Sequence, residues 1–339
     1  MISTGNGLND DELGKTIEKR CQKIRGKFNQ AVISEVSDSK LLTALREVSN
    51  YWRDLSRPAL TIFSCEAVGG DPEMAENAAV MFALASSGFG IHDDILDRSS
   101  NKHLRMTILG LHGVDSALLV GDLLIVKGWA MVSEIIKQIG SPSKVAELIE
   151  AYGNLSVEIC EAELMEVECR RKVDTDLEYY KNILWKEMAE TEACSKIGAM
   201  IGDGTSSEVK ALSEFGRRIG FMSRLADDME DCLNLKGELP HRIEFESVPL
   251  PLLYAAKFSS EKSMRIKEIV EKNSVTPSDT RLLLSFCFET EAFEYVRDLG
   301  RKNEEQALRL LTSLKPSTAR HILSQMIEKS YRRIASLCV

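Results

Sequence analysis

Two short stretches hold the residues best suited to chemistry. Asp93, Asp94 and Asp97 lie in Gly90-Ile91-His92-Asp93-Asp94-Ile95-Leu96-Asp97, and Asp227, Asp228 and Asp231 lie in Arg224-Leu225-Ala226-Asp227-Asp228-Met229-Glu230-Asp231. On a helix, residues four apart share a face, so Asp93 stands over Asp97 and Asp227 over Asp231, each pair with another aspartate alongside. Like charges at that spacing repel unless a cation sits between them. Carboxylate oxygens with no His or Cys ligand in the pattern suit Mg2+, a hard cation that keeps waters and is usually completed by substrate phosphates. Two such clusters facing each other across a helical cavity would hold a diphosphate through bridging Mg2+. One Asp-Asp-x-x-Asp is ordinarily a solvated acidic helix end; its repetition in one chain favours the metal reading.

The elements that must position these groups read as helices. The run into the first cluster, from about Pro72 to Asp97, is apolar on nearly every face and rich in Ala, Ser and Gly, as expected of a helix in the middle of a bundle. The second cluster follows Ile219, Phe221, Met222 and Leu225. Elsewhere apolar residues recur at helical spacing, as in Val145, Leu148, Ile149, Tyr152, Leu155 and Ile159, and period-2 alternation is nearly absent. Asp71-Pro72, Ser141-Pro142 and Thr276-Pro277 place a capping side chain before a proline at a first helical position, and Thr205 with Glu208 forms a capping box. Glycines at 69–70, 140, 202, 204 and 237 mark helix ends. The expectation is an all-α fold: residues 11–339 form one bundle of about a dozen helices around a central cavity, and the first ten residues are loose.

Composition narrows the function. The 339 residues are 44% hydrophobic and 28% charged, with a formal net charge of −9. That argues for a folded globular chain and against nucleic acid or an anionic membrane surface as the main partner. The N-terminus shows no signal-peptide pattern, and charge interrupts the most apolar stretches, such as 117–127, so the expectation is a cytoplasmic protein with no membrane span. Eight scattered cysteines with no Cys-x-x-Cys pair read as reduced, mostly buried thiols.

The chain resembles the trans-prenyltransferases, the isoprenyl diphosphate synthases of the all-α isoprenoid synthase fold. The resemblance runs from about Arg57 to Asp231 and includes Arg57-Pro58, the two aspartate motifs, Gly121-Asp122-Leu123-Leu124 and Lys186 in Tyr180-Lys181-Asn182-Ile183-Leu184-Trp185-Lys186. It implies that the six aspartates and a set of three Mg2+ ions grip an allylic isoprenoid diphosphate. Lys186 helps draw off the leaving group, and an allylic cation forms in an apolar tunnel. It implies that the departing diphosphate takes the final proton, so His92 reads as a packed or hydrogen-bonding residue. It also implies a homodimer, and product length set one turn before the first motif, where Gly88 and Phe89 lie; the small Gly88 and Ala85 leave room for a product longer than fifteen carbons. Glu163 and Glu166, in the acidic stripe that also holds Glu158 and Glu161, fall near cavity-facing polar positions.

The residues that hold the second substrate, isopentenyl diphosphate, depart from the family pattern. Its Gly-Gly-Lys-Arg is Trp52-Arg53-Asp54-Leu55 here, its histidine aligns with Ser86, and its Arg-Arg pair is Lys102-His103. Phe-Gln reads Ser223-Arg224, Lys-Thr reads Lys186-Glu187, and the later lysines are represented by Lys236 and Arg242. Three readings follow. Arg53, Arg57, Lys102, Arg105 and Arg224 substitute for the missing cations in an elongating prenyltransferase; or the enzyme is a class I terpene synthase or prenylates another acceptor; or the chain is a non-catalytic subunit of a heteromeric synthase.

Overall fold

Fifteen α-helices make up nearly all of the computed structural model, which describes residues 10–102, 105–139, 141–234 and 237–337. In chain order they are α1 (Asp10–Ile33), α2 (Ser39–Tyr51), α3 (Ser56–Ala67), α4 (Glu76–Leu96), α5 (Ile108–Ile139), α6 (Pro142–Glu168), α7 (Leu177–Glu187), α8 (Ala189–Ile201) and α9 (Ser206–Leu233). They continue with α10 (Glu238–Phe245), α11 (Leu250–Phe258), α12 (Ser260–Val270), α13 (Pro277–Glu289), α14 (Ala292–Leu311) and α15 (Thr318–Ser336). The all-α expectation holds. Residues 1–9, which include most of the expected loose end, lie outside the described residues, as do His103, Gly140, Lys236 and Cys338.

There are more helices than the sequence pattern marks because several end without glycine or proline. Arg171 and Glu291 adopt left-handed backbone at φ 58 and 56° and stop α6 and α13. The caps expected at Asp71, Thr276 and Thr205 are in place. Asp71 accepts from Glu73 N–H at a 3₁₀ turn, Thr276 and Asp279 close a capping box, and the Thr205 N–H donates to Glu208. All seven described cysteines are free thiols, six of them buried.

The chain divides into two compact units, one comprising 1–154, 190–216 and 310–326, the other 155–189, 217–309 and 327–339. In the first, α4 is buried on every side from Ala78 to Ala85 and runs against α5. A Cβ on Gly88 would stand 2.7 Å from the Gly121 carbonyl oxygen, so glycine there lets the two backbones meet. α5 bends at Gly113, where φ is 78°. Despite its interrupting charges, α5 is long and apolar enough to cross a membrane by length and composition alone, a test that core helices also pass. Its other face is that of a core helix, with Ala117, Val120, Leu124 and Ile135 buried.

In the second unit, burial and Glu328 beside it push the Glu304 carboxyl up to about 7 from 4.5, against the pull of Arg332. The folded chain therefore holds a proton there that the unfolded chain has released. Stability should fall as pH rises between those values, and urea midpoints across about pH 5 to 8 should show this contribution gone in Glu304→Gln.

Candidate active site

The first aspartate cluster ends α4. The central helix brings Asp93, Asp94 and Asp97 to the point where burial gives way to solvent, and Asp97 caps the last turn through its N–H to the Asp93 carbonyl. Arg98 turns the chain at φ 57°, and a short ladder pairing Asn101 with Met106 and Lys102 with Arg105 folds the next segment back. That return sets the Lys102 ammonium among the carboxylates, 2.9 Å from Asp93, 3.0 Å from Asp94 and 3.9 Å from Asp97. Burial works against the charged lysine, but the three aspartates outweigh it and hold its pKa above the usual lysine range. Burial also raises the Asp94 carboxyl, with Lys102 opposing. A single positive centre already gathered by three hard oxygens is the chemistry that suits Mg2+, so the donor set fits that ion.

Other first-unit residues fall in different places. His92 Nε2 lies 3.3 Å from the Leu118 carbonyl oxygen and 3.4 Å from Asp122 on α5, the packing role expected of it. Arg105 stacks over the Tyr51 ring at 4.7 Å, and Arg53 donates to the neighbouring Trp52 carbonyl. Gly88 is taken up by the close approach of α4 and α5, and Ala85 is fully buried beside the same seam. Phe89 is half-buried.

Arg57 opens α3, and two carboxylates hold it. Its Nε is 2.5 Å from Glu190 at the start of α8, and its Nη1 is 2.5 Å from Asp54. Asp54 also accepts from the Ser56 N–H and hydroxyl, which caps the start of α3. Sequence reasoning passed over Glu190, which reads as one of two acids in the first turn of α8.

The second cluster lies on α9. Asp228 has no exposed surface: Oδ1 accepts from Tyr180 (3.3 Å) and Arg242 (3.2 Å), and Oδ2 accepts from the Leu250 N–H (2.8 Å). Both of its oxygens are thus spent on the fold. Asp231 is 2.9 Å from Arg242 Nη1, and burial, partly offset by that arginine, pushes its carboxyl up to about 6. Asp227 pairs at 2.7 Å with Arg333 of α15, a residue no motif would have flagged. Among the described residues no three potential ligands converge on one empty point.

Around this cluster the second unit builds an ionic network. Arg224 Nε is 2.6 Å from Glu187 and its Nη2 3.8 Å from Glu166, so an ion pair occupies positions where the family pattern has Gln and Thr. Burial, reinforced by Glu166, pushes the Glu187 carboxyl well above its ordinary range despite Arg224. Burial also works against the Glu166 anion, yet Arg224, Arg242 and the Ser247 hydroxyl bring it down to about 2. Lys186 pairs at 2.6 Å with Glu161, and Arg217 grips Glu158 with both terminal nitrogens.

The polyprenyl synthetase family model matches residues 44–287. The chain belongs to this family. It is 27% identical over 305 residues to a short chain isoprenyl diphosphate synthase of Methanothermobacter thermautotrophicus, covering 87% of this chain and 91% of that one. It is 28% identical over 322 residues to a geranylgeranyl diphosphate synthase of Methanosarcina mazei, covering 91% and 97%. The crystal structure of a geranylgeranyl pyrophosphate synthetase from Pyrococcus horikoshii matches with a TM-score of 0.83 at 25% identity, over 95% of this chain and 98% of that one. As a polyprenyl synthetase family member, the chain carries both aspartate motifs inside the matched segment.

Proposed function

We propose that the protein is a Mg2+-dependent prenyltransferase that condenses an allylic isoprenoid diphosphate with isopentenyl diphosphate to give a longer prenyl diphosphate. The supporting observation is the carboxylate cluster at the end of α4, already gathered on a cation, in a chain of the polyprenyl synthetase family. Bound Mg2+, three ions if the family habit is kept, would neutralise the diphosphate and weaken its carbon–oxygen bond. Asp93, Asp97, Asp227 and Asp231 are the side chains assigned to hold it. Asp94 joins them in the first cluster, and Asp228, with no exposed surface, sets the register of the second.

Lys102, Lys186 and Arg224 are assigned to the allylic diphosphate, which departs as the carbon–oxygen bond breaks. The isopentenyl double bond then attacks the allylic carbon, and the departing diphosphate accepts the proton lost from the adduct. Arg53, Arg57 and Arg105 are assigned to the acceptor, and Phe89 to the limit on chain length. One observation favours the second reading, an acceptor other than isopentenyl diphosphate: Arg57 is committed to two carboxylates.

Incubation with Mg2+ and dimethylallyl, geranyl, farnesyl or geranylgeranyl diphosphate, with and without labelled isopentenyl diphosphate, separates the two. Label in a longer diphosphate supports elongation. Diphosphate release with an alcohol or hydrocarbon product, independent of the labelled substrate, supports the second reading. No turnover in the absence of a partner chain would sink both.

We also propose a homodimer formed through α5. Val114, Leu118, Val126, Trp129 and Ile136 are exposed and fall within about one third of the helix circumference, a stripe a second copy would cover. Leu118→Glu with Val126→Glu should yield a monomer in sedimentation experiments with unchanged helical content.

A further inference from the structure

The Arg57 corner asks for an explanation the prenyl transfer itself does not supply. A guanidinium meant for a diphosphate is ordinarily left open to it, yet here Glu190 and Asp54 grip Nε and Nη1, both at 2.5 Å. The three side chains together carry a net charge of minus one. An acceptor diphosphate reaching Arg57 would meet two carboxylates for one cation, and isopentenyl diphosphate has no metal of its own to offset them.

The two carboxylates are not equivalent. Asp54 is 43% exposed at its side chain, caps α3 and stays anionic, because Arg57 and the Ser56 donors overcome the cost of burial. Glu190 is 4% exposed, and burial pushes its carboxyl above the ordinary range, with Arg57 opposing. The groups facing it are Arg57 of α3, Asp54 just before α3, Ser86 of α4, Tyr152 of α6 and Cys194 on α8 itself. The Tyr152 phenol and the Cys194 thiol are both raised by burial and are neutral near pH 7, so Asp54 and Arg57 are the charges that matter.

We propose that Glu190 determines how well the enzyme takes a diphosphate acceptor: it holds Arg57 in an ion pair, weakens the grip on that diphosphate, and must release the guanidinium when the acceptor docks. This rests on the assignment of Arg57 to the acceptor in the reading above. Release is easiest when Glu190 gains a proton, since a neutral carboxyl no longer competes for the arginine. Acceptor affinity is therefore linked to proton uptake, and it falls as pH rises. Glu190 is a positioning residue, acting through Arg57.

The test compares wild type, Glu190→Gln and Asp54→Asn. Glutamine keeps the shape and an oxygen for Arg57, and asparagine keeps the cap on α3. Calorimetric titration with isopentenyl diphosphate in chelator, across about pH 6.5 to 8.5, needs no turnover, and steady-state kinetics with both substrates accompanies it. Glu190→Gln should tighten isopentenyl diphosphate binding and lower its KM by about tenfold near pH 8, and flatten the pH dependence seen in wild type. The KM for the allylic substrate should not move, and Asp54→Asn should shift acceptor affinity in the same direction by less. Loss of packing would instead raise KM and lower kcat.

Unchanged or weaker acceptor binding in both folded variants overturns the inference, as does an absence of binding in all three proteins. Tighter binding without chain elongation would leave the inference standing and remove the elongation reading. Elongation with an unmoved acceptor KM would do the reverse.

Discussion

Replacing Asp93 and Asp94 together by alanine should lower Mg2+-dependent turnover by at least about a thousandfold, corresponding to about 4 kcal/mol of lost transition-state stabilisation. The fold should survive. Both residues lie at the open end of α4, with side chains 36% and 14% exposed, and Lys102 keeps Asp97 as a partner. Removing two like charges also relieves repulsion within the cluster. The readouts are Mg2+ binding by calorimetry, product formation and far-ultraviolet circular dichroism. Activity within tenfold of wild type in a folded variant would remove the first cluster from the mechanism. A Lys102→Met control has the opposite sign for the ion: with the internal cation gone, Mg2+ should bind more tightly even if the diphosphate binds less well.

Arg242→Met carries the largest expected effect on stability. The arginine is 4% exposed and touches Asp228, Asp231 and Glu246 within 3.2 Å, with further contacts to Tyr180 and Ser247. Its loss would strand Asp228, a carboxylate with no exposed surface, and breaking a buried pair by removing one partner costs about 3–5 kcal/mol. Urea unfolding should register that loss in Arg242→Met. Arg242→Met combined with Asp228→Asn should recover a good part of it, since the stranded charge is then gone while the Leu250 N–H keeps an oxygen to donate to. Equal stability of the single and double variants would mean that Asp228 is held by the rest of its surroundings. Because Arg242 also pairs with Asp231, Mg2+ binding is a second readout: by the argument made for Lys102, a folded single variant should bind the ion no more weakly than wild type.

These two predictions divide along what was legible in the chain. Helical periodicity, proline-led caps and the all-apolar run from Pro72 were enough for the all-α class and for α4 as a buried helix. They work because a 3.6-residue repeat and a capping side chain are local properties. Helix count was less legible where left-handed Arg171 and Glu291 end helices with no glycine to mark the stop. The doubled Asp-Asp-x-x-Asp was legible as hard-cation chemistry because its ligands are neighbours on one helix.

The partners of those aspartates come from far along the chain, and no spacing rule connects them. Arg333 reaches Asp227 from α15 and Arg242 reaches Asp228 from α10. Glu190 reaches Arg57 across 133 positions of sequence. By itself the sequence determined the fold class, the carboxylate motifs and the kind of ion they suit, since each follows from residue type and local helical geometry. Only the tertiary structure decided that Asp228 is spent on the fold, that Gly88 sits where α4 and α5 meet, and that Arg57 is already paired with two carboxylates. Burial and long-range ion pairing decide which charges remain available, and both exist only once the helices have packed.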